Sequence, residues 1–73
     1  MSYKSKLPYK VGKVRNYDNY IGEIVTDKNI YYFNKNDVNN GEVVNNNDYV
    51  MFKSKTEDIF PQGYYIKKLN LKK

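Results

Sequence analysis

A chain of 73 residues with a net charge of +5 has room for one small domain. It contains no cysteine and no histidine, which excludes disulfides, zinc sites built on thiolate or imidazole, Cys–His nucleophile pairs and Ser–His–Asp triads. No apolar run approaches the ~20 residues of a membrane span, and the basic segment Met1 to Lys10 lacks the apolar stretch of a signal peptide, so the expectation is a soluble, cytoplasmic protein.

Residues 1–8 are polar and without period, and read as a flexible basic arm that ends at Pro8. Residues 9–17 alternate loosely around Val11, Val14 and Tyr17 and read as a first strand, with Gly12 predicting a bend or bulge. Asp18-Asn19 is a turn pair, because both side chains can bond the local backbone and both tolerate left-handed geometry. Residues 20–26 read as a second strand, Asp27-Lys28-Asn29 as a second turn, and residues 30–33 as a third strand with four β-favouring residues in a row. The Asn-rich stretch 34–47 reads as a long connection with a helical turn near residues 35–38. A fourth strand is expected over residues 48–54, a polar loop over 55–58, a break at Pro61-Gln62-Gly63, a fifth strand over 64–69 and a basic tail over 70–73. Five short strands with no helical period predict an all-β, closed or nearly closed barrel spanning residues 9–69.

Charge is segregated along the chain. Lys4, Lys6, Lys10, Lys13 and Arg15 precede the first acid, Lys67, Lys68, Lys72 and Lys73 follow the last one, and every Asp and Glu lies between. If the two ends meet in the fold, their charges add into one positive face suited to a polyanion. A basic chain with aromatics at alternate strand positions also suits single-stranded nucleic acid, whose bases stack on rings while its phosphates meet lysines.

Gly12-Lys13-Val14-Arg15, Tyr20-Ile21-Gly22-Glu23-Ile24 and Ile30-Tyr31-Tyr32-Phe33-Asn34, taken in order, resemble the cold-shock domain. Gly12-Lys13-Val14-Arg15-Asn16-Tyr17-Asp18 is similar to the family's Gly-x-Val-Lys-Trp-Phe-Asn opening. Tyr20-Ile21-Gly22-Glu23-Ile24 stands where the family has Gly-Phe-Gly-Phe-Ile, and Ile30-Tyr31-Tyr32-Phe33-Asn34 where it has Val-Phe-Val-His-Phe. Val50-Met51-Phe52 matches the family's Val-x-Phe, and Pro61-Gln62 followed by Ile66 matches its last strand. The resemblance spans roughly residues 11–69 and implies a small five-stranded OB-type β-barrel that binds single strands, with roles such as RNA chaperoning or gene regulation. Asn16 replaces the family's tryptophan, while Ile21, Glu23 and Asn34 replace phenylalanines.

Alternation assigns Val14, Gly22, Ile24, Ile30, Tyr32, Val50, Phe52 and Ile66 to the core, and Ile21, Glu23, Tyr31 and Phe33 to the outer face. The expected nucleic-acid site is therefore Tyr31 and Phe33 as stacking rings, Tyr17 and Tyr20 as further rings beside the turn, and Lys13 and Arg15 as phosphate contacts. Glu23 in the middle of this platform is expected to repel phosphate or to accept a hydrogen bond from a base amine. The expected partner is single-stranded RNA or DNA, bound with little sequence preference. The alternative, favoured by Asn16, Glu23 and Asn34, is a diverged barrel that docks a protein. No cofactor, metal, membrane or small-molecule substrate is expected, and no residue set suggests an enzyme. Asp27, Glu57 and Asp58 read as solvated loop carboxylates.

Overall fold

A computed structural model describes residues 9–54 and 61–69. The predicted basic arm, the polar loop at 55–58 and the basic tail lie outside the described residues. Five strands follow one another: β1 (Lys10–Arg15), β2 (Ile21–Val25), β3 (Ile30–Asn34), β4 (Tyr49–Ser54) and β5 (Gly63–Lys68), with a single 3-10 turn, Lys35–Asp37, between β3 and β4. All neighbouring strands are antiparallel, in the spatial order β3-β2-β1-β4-β5. The two edge strands approach each other through a parallel bridge between Tyr32 and Gln62, where the Tyr32 N–H donates to the Pro61 carbonyl at 2.9 Å. The sheet thus curls into a half-barrel of the OB type, and the all-β expectation holds.

Side chains at the turns set where the strands begin. The Asp18 carboxylate accepts from the N–H groups of Tyr20 (2.9 Å) and Ile21 (3.0 Å), which closes the β1–β2 connection. Asn16 and Asn19 in that connection adopt positive φ, a geometry that asparagine tolerates better than most residues. The β2–β3 turn is held by Thr26, whose hydroxyl accepts from the N–H groups of Lys28 and Asn29. Asn34 caps the 3-10 turn by accepting from the Asn36 N–H, and Asp37 reciprocates by accepting from the Asn34 N–H. Beyond it, Val38 bridges to Ile66, and the Asn39 N–H donates to the Ile66 carbonyl at 2.9 Å. The long connection is therefore stitched to β5 at this point.

The core is made of Val14, Ile24, Tyr31, Phe33, Val44, Val50, Phe52 and Ile66. Tyr31 packs edge-on against Phe52 with ring centroids 5.0 Å apart. This core corrects the expected faces of the third strand. Tyr31 is 8% and Phe33 2% exposed, whereas Tyr32 is 45% exposed and Ile30 lies outside with it. The cause is the space left by a glycine. Gly22 pairs with Phe33, and a Cβ on Gly22 would sit 2.8 Å from the Phe33 ring. The aromatic ring fills the volume that a side chain on β2 would otherwise take, so β3 turns its odd-numbered residues inward. Val14, Gly22, Ile24, Val50, Phe52 and Ile66 all lie inside, as alternation predicts. Gly12 allows a second close approach, since a Cβ there would lie 2.8 Å from the Val25 carbonyl oxygen.

One irregularity marks the far edge. Between Met51 and Lys53 the β4–β5 register shifts, and Tyr65 takes a φ of 55°. Such a left-handed conformation is uncommon for a bulky residue, and here it bulges β5 outward.

Candidate nucleic-acid interface

Residues directly opposite one another in an antiparallel pair share a face, so the register lays out the outer surface of the sheet. Tyr32 on β3 faces Glu23 on β2, and Glu23 faces Arg15 on β1. A second row runs from Ile30 through Val25 and Lys13 to Tyr49 on β4. A third joins Val11, Met51 and Lys67 on β5. Lys53, on the same side of β4 as Tyr49 and Met51, faces Tyr64 on β5, so the outer face carries the part-exposed rings Tyr32, Tyr49 and Tyr64, with Lys13, Arg15 and Lys67 among them. Lys13 holds its ammonium 5.7 Å from the centre of the Tyr49 ring, within cation–π range.

Of the two basic segments, the described parts lie on β1 and β5, which flank β4. With β4 between them and an offset of two residues along the strands, Lys13 and Lys67 stand about 12 Å apart. That is about one Debye length at 0.1 M salt, so their fields overlap.

The six residues singled out from the sequence divide by place. Lys13 and Arg15 lie on the outer face. Tyr20 is 71% exposed, at the end of the β1–β2 connection. Tyr17 is half-buried. Its ring lies 5.0 Å from that of Phe33, and its backbone is clamped by Asn46, which accepts from the Tyr17 N–H at 2.8 Å and donates to its carbonyl at 3.0 Å. Tyr17 therefore covers the end of the barrel, where it lines a cleft of about 580 Å³ with Lys35, Val38 and Val44. Tyr31 and Phe33 are core residues with no ring face available to a base. Tyr32 and Tyr49 stand where a base could reach, and sequence reasoning passed over both. The signal for Tyr32 was the core-side Gly22, which needs a large ring opposite it.

Around β5 there is a second group of rings. The Lys53 ammonium lies 5.1 Å from the centre of the Tyr9 ring and 5.7 Å from that of Tyr65.

The acids near the face are engaged. Glu23 accepts from the Asn16 side-chain amide at 3.2 Å. Asp48 pairs with Lys68 at 3.4 Å. The backbone N–H groups of Ile21 and Tyr20 hold Asp18 below the ordinary aspartate value of 3.8, because they stabilise its charged form. No group of three or more acidic, Cys or His side chains among the described residues could hold a metal ion, and no helix among them is long and apolar enough to cross a membrane.

Against protein-family models, curated proteins and solved structures, the chain finds no match.

Proposed function

We propose that this barrel binds single-stranded RNA or DNA on the outer face of its sheet, with low overall sequence preference, as a cold-shock-like domain would. The observation that carries this reading is the gathering of part-exposed rings and cations on one face, Tyr32 and Tyr49 with Arg15, Lys13 and Lys67, around the acid Glu23. Rings offer stacking that every base can use, and the cations follow the backbone. Tyr32 takes the stacking role that alternation had assigned to Tyr31 and Phe33. Shifting the third-strand motif by one residue sets Tyr32 opposite the cold-shock pattern's first phenylalanine and keeps that part of the resemblance.

The reading is tested by titrating the protein with a short oligo-thymidine strand and with a duplex of equal charge, at low and moderate salt, following tyrosine fluorescence. Preference for the single strand, with quenching that persists as salt rises, is the expected result. Equal, salt-sensitive binding to both would leave only a charge effect. A protein-docking role is the second reading, and it is favoured by the exposed apolar side chains of Val11, Ile21 and Val43. Absence of any nucleic-acid binding would favour it.

A further inference from the structure

Among the described residues, Glu23 is the one acid on the outer face of the sheet, and it stands in the row Tyr32–Glu23–Arg15. Its place is at odds with simple phosphate binding, since a carboxylate beside a backbone track repels it. The same carboxylate is well placed for a base edge. Tyr32 is its direct cross-strand neighbour, so their Cβ atoms are about 5 Å apart. A base stacked on the Tyr32 ring therefore has its rim within reach of Glu23. The Asn16 amide donates to Oε1 at 3.2 Å and steadies the carboxylate. Each carboxylate oxygen can accept more than one hydrogen bond, so both remain available as acceptors.

The four bases differ in what they offer a pair of acceptors. The Watson–Crick edge of guanine carries two adjacent donors, N1–H and the 2-amino group, which match the two carboxylate oxygens. Adenine and cytosine offer one amino group next to a ring nitrogen whose lone pair faces the carboxylate. Uracil and thymine offer one N–H between two carbonyl oxygens. Only guanine is free of an acceptor–acceptor conflict. Resting on the single-strand reading above, we infer that Tyr32 and Glu23 form a guanine subsite: Tyr32 stacks the base, Glu23 reads its Watson–Crick edge, and Arg15, on the other side of Glu23, meets the adjoining phosphate. The rest of the face remains tolerant of sequence.

The test uses labelled hexamers of uridine, the same hexamers with one central guanosine, and with one central inosine, which lacks the 2-amino group. Deoxy counterparts are run beside them. Affinities are read by fluorescence anisotropy for the full chain and for Glu23→Gln, and the melting temperature of the variant checks that it folds. The single guanosine is expected to tighten binding by about tenfold or more, the size of a good bidentate base contact. Inosine is expected to lose most of that gain. Glu23→Gln presents a donor to one guanine donor, so its guanosine preference should fall to within about twofold. Removing the charge should leave its affinity for the all-uridine strand unchanged or improved. Binding of all strands without a guanosine preference, or a preference that survives Glu23→Gln, overturns the subsite and leaves single-strand binding standing. Failure of every strand to bind overturns both.

Discussion

Phe33 and Tyr32 sit side by side in the chain and face opposite sides of the sheet, the core and the solvent, so truncating each has a different consequence. Phe33→Ala empties a ring-sized space between Gly22, Tyr17 and the core, and is expected to cost about 3–5 kcal/mol of stability. Small domains have about 5–15 kcal/mol in total, so a large fall in melting temperature should accompany it. Tyr32→Ala should leave the melting temperature nearly unchanged and weaken single-strand binding by about 1–3 kcal/mol. A thermal melt and one titration of each variant check the pair. Gly22→Ala forces a Cβ to within 2.8 Å of the Phe33 ring, and overpacking of this kind is expected to cost about 1–3 kcal/mol. Asp18 supplies a pH dependence. Its pKa is depressed in the folded state, so its contribution to stability is complete above the unfolded value and is lost as pH falls through the folded one. Asp18→Asn keeps an acceptor oxygen for the Tyr20 and Ile21 N–H groups but does not titrate as a carboxylate. Acid denaturation curves of the variant should therefore be flatter than the parent's below about pH 4.

At the scale of the element, the positions of the strands were legible and the facing of one of them was not. β1, β2 and β4 each carry a charged residue at an outward position beside an apolar inward one, as in Lys13 and Arg15 around Val14, Glu23 beside Ile24, or Lys53 beside Phe52, so period-two alternation places them correctly. β3 reads Ile-Tyr-Tyr-Phe, in which either alternate set is apolar enough to be buried. Local pattern cannot choose between the two sets, and a one-residue slip exchanges them all. The choice is made by a tertiary contact, the Phe33 ring over Gly22, and that contact also moves the candidate stacking ring from Tyr31 and Phe33 to Tyr32. The long connection was visible as polar and Asn-rich, and the 3-10 turn falls where the sequence places a helical turn. Its anchoring was not visible, because Val44 enters the core and Asn46 clamps Tyr17 from 29 positions away. The β-bulge at Tyr65 likewise has no glycine to announce it.

For the whole molecule, the relevant quantity is how the scattered lysines combine. β4 separates the basic strands β1 and β5, yet Lys13, Arg15 and Lys67 share one face, so binding should weaken with salt in proportion to the phosphates they neutralise. For a single strand, each lost contact should lower the slope of log affinity against log salt by about 0.7. Arg15→Ala and Lys67→Ala are each expected to show that decrement, and the double variant about twice as much. Slopes measured between 50 and 300 mM salt, a range chosen to span the screening of surface charge, check it. A variant that loses affinity with no change of slope would place its residue outside the phosphate track.

Because β1 is hydrogen-bonded to β2 on one side and to β4 on the other, the domain consists of a three-stranded meander and a hairpin, joined along the β1–β4 ladder and, at the other edge, by the Tyr32–Gln62 and Val38–Ile66 bridges. Cutting the backbone between Asn40 and Gly41, in the exposed part of the connection, would separate a meander of β1–β3 from the β4–β5 hairpin. The first fragment would be left with an open strand edge at β1, and the second would carry the complementary edge at β4 together with Asn46. Open edges of this kind invite pairing. Mixed in equal amounts, the two pieces should recombine and restore the tyrosine signals of the intact chain, while neither alone should fold. The barrel can thereby be made into a reporter whose assembly depends on bringing two peptides together.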